Sequence, residues 1–272
     1  AASYMNILVA HTMGGEVSGT IDESIRHAVT KLSHIHFPAS DDAYKRIIKL
    51  GEPSELVFKV GCPRIDLVAE ILNNLEPINS DKLFNLGVGD KLDFSKPFIL
   101  VSQHPVTTEY GNGEDQIEST LKAVKRVNMQ AIILWPNADA GSDEISKGIR
   151  KWREKGFDTK MHFFKNLPVD TYIKLMKMTS CLVGNSSSGI REGAFIGTPV
   201  VNIGSRQSNR ERGKNVLDVK SNEDDIFNGI NKQIESGEYK KENIYGDGNA
   251  GKKIAKILFE LKEINVQKCI TY

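Results

Sequence analysis

Residues 184–213 read GNSSSGIREGAFIGTPVVNIGSRQSNRERG and join a Gly/Ser turn to a short helix and then to a basic loop. Cys181, Leu182 and Val183 spell a short buried strand entering the turn, and the helix expected over 190–196 is stopped by Gly197 and Pro199. The hydroxyls of Ser186, Ser187 and Ser188 and the unpaired N–H groups of the first helical turn converge on one small volume, which suits an anion. Glu192, one turn into the helix, can accept two hydrogen bonds from a ribose diol. Arg206, Arg210, Arg212 and Lys214 follow on the next loop, with only Glu211 opposing them in sequence. Separately these pieces are a capped helix and a solvated basic face; in this order they are the parts of a diphosphate grip.

Other polar residues stand where strands end. His11-Thr12-Met13-Gly14-Gly15-Glu16 follows the first apolar stretch, at the carboxyl edge where open α/β sheets keep ligand sites. Thr20 and Glu23 have capping-box spacing, which puts Asp22 in the first turn of a helix and Arg26 one turn on. Asp22 and Arg26 are then either a local i,i+4 ion pair or an acid/base group with its charge partner. His104, in QHPVTT, follows the most apolar strand of the chain, and Asn137, in WPNADAGS, holds the equivalent place after the next strand. His27, His34 and His36 lack the companion carboxylate or thiol spacing of a metal centre and read as structural.

The elements that must carry these residues alternate. Strands are expected over 7–10, 35–37, 56–60, 98–102, 131–135, 161–164, 181–183 and 200–203. Helices are expected over 21–31, 41–50, 66–75, 116–127, 144–155, 170–178, 190–196, 224–235 and 251–261. Short apolar strands alternating with helices predict an α/β fold with parallel sheets covered on both faces. The polar segment 79–96 is the linker candidate, giving a first domain over 1–96, a second, Rossmann-like domain over 97–250, and a last helix in 251–272 that packs back on the first domain. Three strands leave the first sheet half built with an open edge, and the chain starts without Met. Both features predict a fragment, or a missing part supplied from elsewhere.

Composition narrows the partners. A net charge of +1 gives no global argument for nucleic acid or an anionic membrane, so the basic loop needs a local explanation. Cys62, Cys181 and Cys269 are odd in number and widely spaced, which fits a reducing compartment and offers no disulfide or metal framework. No apolar run approaches the roughly 20 residues of a membrane helix, and the cytoplasm is the expected location.

With those residues in view, the chain resembles the hydrolysing UDP-N-acetylglucosamine 2-epimerases of sialic-acid-type pathways. The motifs run in order: HTMGGEVSGTIDESIRHAVTKL from His11, GCP at 61–63, QHPVTT at 103–108, WPNADAGS at 135–142, GNSSSGIRE at 184–192, GSRQ at 204–207 and YGDGNA at 245–250. The resemblance implies two Rossmann-like domains in a GT-B arrangement, the first incomplete here, assembled as homodimers or homotetramers around a UDP-sugar in the interdomain cleft. It implies conversion of UDP-GlcNAc and water to UDP and N-acetylmannosamine, with no metal, nicotinamide or other cofactor. Ser186, Ser187, Glu192, Arg206, Arg26 and Asn137 then correspond to substrate-binding positions. Asp22, Glu16 and His104 correspond to the catalytic group, His104 lying among the UDP contacts.

Two departures stand out against the family pattern. The family's first hundred or so residues, with another catalytic aspartate, have no counterpart, and Met13 stands where HxEGGE places a glutamate; Glu16 is the nearest substitute. Met13 points either to another substrate, such as a UDP-diacetamido sugar of the legionaminic acid pathway, or to a UDP-sugar binding protein without turnover. A GT-B glycosyltransferase shares the fold but has no need of a base at C2.

Overall fold

The computed structural model describes every residue except Thr20, Glu263 and Tyr272. It divides into two compact units, one of Ala1–Glu70, Asn209–Glu211 and Asn243–Tyr272, the other of Ile71–Ser208 and Arg212–Glu242. The α/β class expected from the alternating pattern is what forms.

In the first unit, β1 (Ala10–Thr12) and β2 (Ile35–Phe37) pair in parallel on either side of α1 (Asp22–Leu32). Helices α2 (Asp41–Lys49) and α3 (Pro63–Asn73) follow, α3 running across the boundary at residue 70. The strand expected over 7–10 starts only at Ala10, and Ile7 and Leu8 are exposed. The strand expected over 56–60 does not form. Phe58 N–H reaches His36 O at 2.8 Å and Val60 N–H reaches Pro38 O at 3.2 Å, so the segment lies alongside β2. Pro38 has no N–H to return, and the ladder stops at a single bridge between His36 and Val57.

The second unit is built on seven strands: after α4 (Ser80–Phe84) come β3 (Gly87–Gly89), β4 (Phe98–Ser102), β5 (Gln130–Leu134), β6 (Met161–Phe164), β7 (Cys181–Gly184), β8 (Val200–Ile203) and β9 (Val216–Val219). Their order is β3-β6-β5-β4-β7-β8-β9, parallel throughout except for β3 against β6. Helices α5 (Gly113–Val127), α6 (Ser142–Glu154), α7 (Val169–Met178), α8 (Ser187–Ile196) and α9 (Glu223–Ser236) connect them. On one face Ile117, Leu121, Ile149, Trp152, Ile226 and Ile230 pack on Ile99, Val101 and Ile133 of the central strands. β4 is buried along its whole length, as a parallel strand covered on both faces must be. The final helix, α10 (Ala250–Glu260), belongs to the first unit: Asp66 accepts the N–H groups of Ala250 and Gly251 at 2.8 and 2.7 Å, and Ile254 and Ile257 pack with Ile35, Phe37 and Val60.

The segment 79–96, read as a linker, instead carries α4 and β3 within the second unit, with Leu83, Phe84 and Leu92 buried. Phe84 stacks on Phe94 and meets His162 edge to face. The glycines that suggested a turn serve a close approach: a Cβ on Gly87 would lie 2.5 Å from Phe163 O, so only glycine can pair there. Strand β9 is likewise an addition to the five strands expected for this unit. Among the described residues no helix is long and apolar enough to cross a membrane.

Candidate functional site

In the second unit, β4 has β5 on one side and β7 on the other, so the chain leaves it in opposite directions and its carboxyl end opens a crevice at the switch in strand order. Four adjacent strands, β5, β4, β7 and β8, deliver Asn137, His104, Ser186 and Arg206 to that edge. The expected placing of His104 and Asn137 after two adjacent strands is what forms.

Asn185, a residue the sequence reading passed over, binds three of these loops together. Its side chain accepts His104 N–H at 2.7 Å and donates to His104 O at 2.8 Å. Its own carbonyl receives Arg206 Nη1 at 3.2 Å and Gln207 Nε2 at 2.9 Å. A polar residue directly after the apolar run of β7 was the available signal, masked by the three serines beside it.

Ser186 is the N-cap of α8 and its Oγ accepts Ser188 N–H at 3.3 Å, while Gly197 closes the helix at φ 87°. Ser187 Oγ accepts from Arg191 Nη2 at 3.2 Å, and Glu192, in the second turn, is buried with its Oε2 3.6 Å from Arg191 Nε. Arg206 pairs with Asp139 at 3.2 Å, so a cation is held beside the helix N-terminus in a fixed orientation. His104 is buried and its Nδ1 accepts Asn137 N–H at 3.2 Å. Burial, reinforced by the Arg206 charge, pushes the imidazole down to about 3, so it is neutral near pH 7. Asn137 itself is exposed, with Nδ2 3.4 Å from Asp139 Oδ2.

The continuous basic loop expected over 206–214 does not exist as a surface. Arg212 pairs with Asp218, Lys214 N–H donates to Glu242, and Arg210 belongs to the first unit. Asp218 opposes Arg212 and Glu16 opposes Arg210, the Lys214 side chain is exposed, and Arg206 lies at the carboxyl edge alongside Ser186 with Asp139 as its partner.

The first unit holds Glu16, Asp22 and Arg26. Gly15 brings the loop after β1 tight against α2: a Cβ there, at φ 75°, would lie 2.3 Å from Ala43 O. Glu16, 4% exposed, pairs with Arg210, 8% exposed. Arg46 donates to Gly15 O and Arg26 Nη1 donates to Glu16 O at 2.9 Å. Asp22 is exposed at the start of α1, and the i,i+4 ion pair with Arg26 is not formed; its charge acts on Arg26 only at longer range. Thr20 lies outside the described residues, and Glu23 Oε2 accepts Ser18 N–H at 3.0 Å. Met13, where the resemblance expects a glutamate, sits at φ 64° with its N–H on Phe37 O at 3.0 Å.

The three histidines near α1 have structural partners: His27 with Glu23 at 3.5 Å, His34 between Val9 N–H and Val266 O, and His36 with Glu52 at 3.0 Å. Among the described residues no cluster of three or more His, Cys, Asp or Glu is placed to hold a metal ion.

Comparison with known proteins follows the same lines. A family described as UDP-N-acetylglucosamine 2-epimerase matches residues 1–259. The chain is 35% identical over 274 residues to the UDP-N,N'-diacetylbacillosamine 2-epimerase (hydrolyzing) of Legionella pneumophila, covering 100% of this chain and 70% of that protein. It is 31% identical to the UDP-N-acetylglucosamine 2-epimerase of Neisseria meningitidis, covering 89% of this chain but 61% of the relative. The solved structure of a Neisseria meningitidis UDP-GlcNAc 2-epimerase bound to UDP-GlcNAc superposes with a TM-score of 0.79 at 21% identity, over 96% of this chain and 72% of that one. A Methanocaldococcus jannaschii UDP-GlcNAc 2-epimerase in complex with UDP-GlcNAc and UDP gives 0.77 at 18% identity, over 95% and 70%.

Proposed function

This chain belongs to the UDP-N-acetylglucosamine 2-epimerase family, and from that premise we propose that it takes part in the hydrolysing form of the reaction, releasing UDP and an inverted 2-acetamido sugar. The observation that carries the reading is the convergence of Ser186, Arg206 and His104 around Asn185 at the strand-order switch. Ser186, the N-terminus of α8 and Arg206 grip the diphosphate, and Glu192 serves the ribose diol.

The chemistry is an elimination followed by a hydration. A base takes the C2 proton, the C2–H electron pair becomes the C1–C2 double bond, and the C1–O pair leaves with UDP. Negative charge grows on the diphosphate, where the helix dipole and Arg206 stabilise it. Water then adds its hydroxyl to C1 while a proton returns to C2 on the other face. Asp22, exposed at the start of α1, is the better placed acid/base group, because Glu16 is buried against Arg210 and holds that cation in place. His104, neutral and clamped on both backbone atoms, orients its loop rather than carrying charge.

A UDP-diacetamido sugar is the second reading. It is favoured by the 35% identity to relatives described as diacetylbacillosamine 2-epimerases from both Legionella pneumophila and Campylobacter jejuni, and by Met13 in place of an acidic residue. Both readings are tested by incubating the chain with UDP-GlcNAc and with UDP-N,N'-diacetylbacillosamine in deuterated water. UDP release with deuterium at C2 of one product identifies the substrate. Tight UDP binding with neither event supports a binding protein without turnover, and sinks the enzymatic reading.

A further inference from the structure

Tyr172 on α7 is not part of any motif considered above, yet its phenol oxygen lies 2.6 Å from Ser188 Oγ. Ser188 Oγ lies in turn 2.8 Å from Ser186 Oγ, the cap of α8. At the other end, Ser102 Oγ closes β4 3.4 Å from His104 Nε2 and also lies against the phenol. A chain of side chains therefore runs inside the second unit from His104 through Ser102, Tyr172 and Ser188 to Ser186, with the phenol also lying against Ser186.

We infer that Tyr172 is a positioning residue which fixes the direction of the serine hydroxyls, so that Ser186 presents its proton, and not a lone pair, to the anion at the N-terminus of α8. The inference rests on the diphosphate grip proposed above. It follows from counting donors and acceptors. His104 Nδ1 accepts Asn137 N–H, which places the proton of the neutral imidazole on Nε2, facing Ser102. A phenol is a stronger acid than an alkanol, so Tyr172 donates to Ser188 Oγ and leaves Ser188 to donate its own proton to Ser186 Oγ. Ser186 Oγ also accepts Ser188 N–H at 3.3 Å, and with both lone pairs occupied its hydroxyl hydrogen turns outward. Burial pushes the Tyr172 phenol above its ordinary value, which keeps that proton on it. Without the phenol, the Ser188 and Ser186 hydroxyls can reverse and offer an anion an oxygen lone pair.

The test is Tyr172→Phe, which removes one oxygen and keeps the ring, with calorimetric or NMR affinities for UDP and for uridine. The expected result is a loss of about tenfold for UDP, the size of one hydrogen bond, with uridine unchanged. In a Ser186→Ala background the same substitution is expected to cost UDP nothing further, since the relay then has no end group. Unchanged UDP affinity, equal losses for UDP and uridine, or a full additional loss in the Ser186→Ala background would each overturn the relay while leaving the UDP grip standing. A wild-type chain that binds no UDP overturns the grip itself, and the inference with it.

Discussion

Asn185 and His104 are joined by a reciprocal pair of hydrogen bonds, the histidine N–H donating to Asn185 Oδ1 at 2.7 Å and Asn185 Nδ2 donating to the histidine carbonyl at 2.8 Å. Both residues are buried, so neither backbone group has water as an alternative. Asn185→Ala strands an N–H and a C=O together. It should cost about 2–4 kcal/mol of stability, given about 1–3 kcal/mol for each unsatisfied buried group. Asn185→Asp keeps the acceptor for His104 N–H but sets a buried carboxylate oxygen against the His104 carbonyl, and should lose at least as much. Urea unfolding of the three proteins orders them; equal midpoints would mean that the two loops are held by something else.

Arg206 donates to Asn185 O and pairs with Asp139, contacts that hold its guanidinium in one orientation. Replacing it by alanine should weaken UDP binding by about 1.5–3 kcal/mol, the range for a hydrogen bond to a charged group. The loss should shrink at high salt, and calorimetry at two ionic strengths reads both effects. An affinity unchanged at either strength would place the diphosphate elsewhere.

What the sequence made legible is what local pattern controls. His104, Asn137, Ser186 and Arg206 each follow a largely apolar strand of four or five residues, and a polar residue in that place in a parallel α/β chain has to lie at the sheet's carboxyl edge. Asn185 and Tyr172 escaped notice because their roles depend on partners dozens of residues away or on another helix; nothing within a turn of Tyr172 points to Ser188. The same limit explains the basic loop, where Asp139 and Glu16 supply opposing charges from distant segments and Asp218 supplies one from the strand that follows the loop. Strand β3 was invisible because Gly87 and Gly89 write a turn, although they are there to let the backbone approach β6. The strand expected over 56–60 was spoiled by Pro38, which sits on the segment opposite and not in the strand itself.

Glu16 and Arg210 are both almost fully buried, and breaking such a pair by removing one partner leaves a desolvated charge. Glu16→Ala should therefore destabilise the chain by about 3–5 kcal/mol. Glu16→Gln, which can still accept a hydrogen bond, should recover part of that loss. If Glu16→Ala unfolds at the wild-type urea concentration but abolishes turnover, Glu16 is a catalytic group and the structural role argued for it is wrong.

Lys268 closes the carboxyl end of α1 by donating to the carbonyls of Thr30, Lys31 and Ser33, and it also pairs with Glu52 at 2.6 Å. Glu52 has no exposed side-chain surface and shares its oxygens with Lys31 and His36 as well. Lys268→Met should cost about 1.5–3 kcal/mol, as for a charged hydrogen bond, because Glu52 keeps its other partners. Burial is the main reason that His36 is held down at about 4, and the Lys268 charge adds to it, so the variant's His36 should titrate higher. An NMR titration in which His36 stays in place would show that Lys268 does not act on it.

The pH dependence of stability follows from the same kind of burial at His104. Its folded value of about 3 lies below the unfolded value of about 6.5, so protons bind the unfolded chain first as pH falls. Its contribution is complete above about pH 6.5 and is lost progressively toward pH 3, at up to about 1.4 kcal/mol per pH unit. His36, lowered to about 4, adds a slope of the same sign over a narrower window. Comparing wild type with His104→Gln cancels that contribution and those of the carboxylates. The variant should be less stable at pH 7 but lose stability more slowly between about pH 6 and pH 4, so that the two curves converge on acidification. Parallel curves across that interval would mean that His104 takes up its proton in the folded chain as readily as in the unfolded one, and that the neutral imidazole whose Nδ1 accepts Asn137 N–H is not maintained.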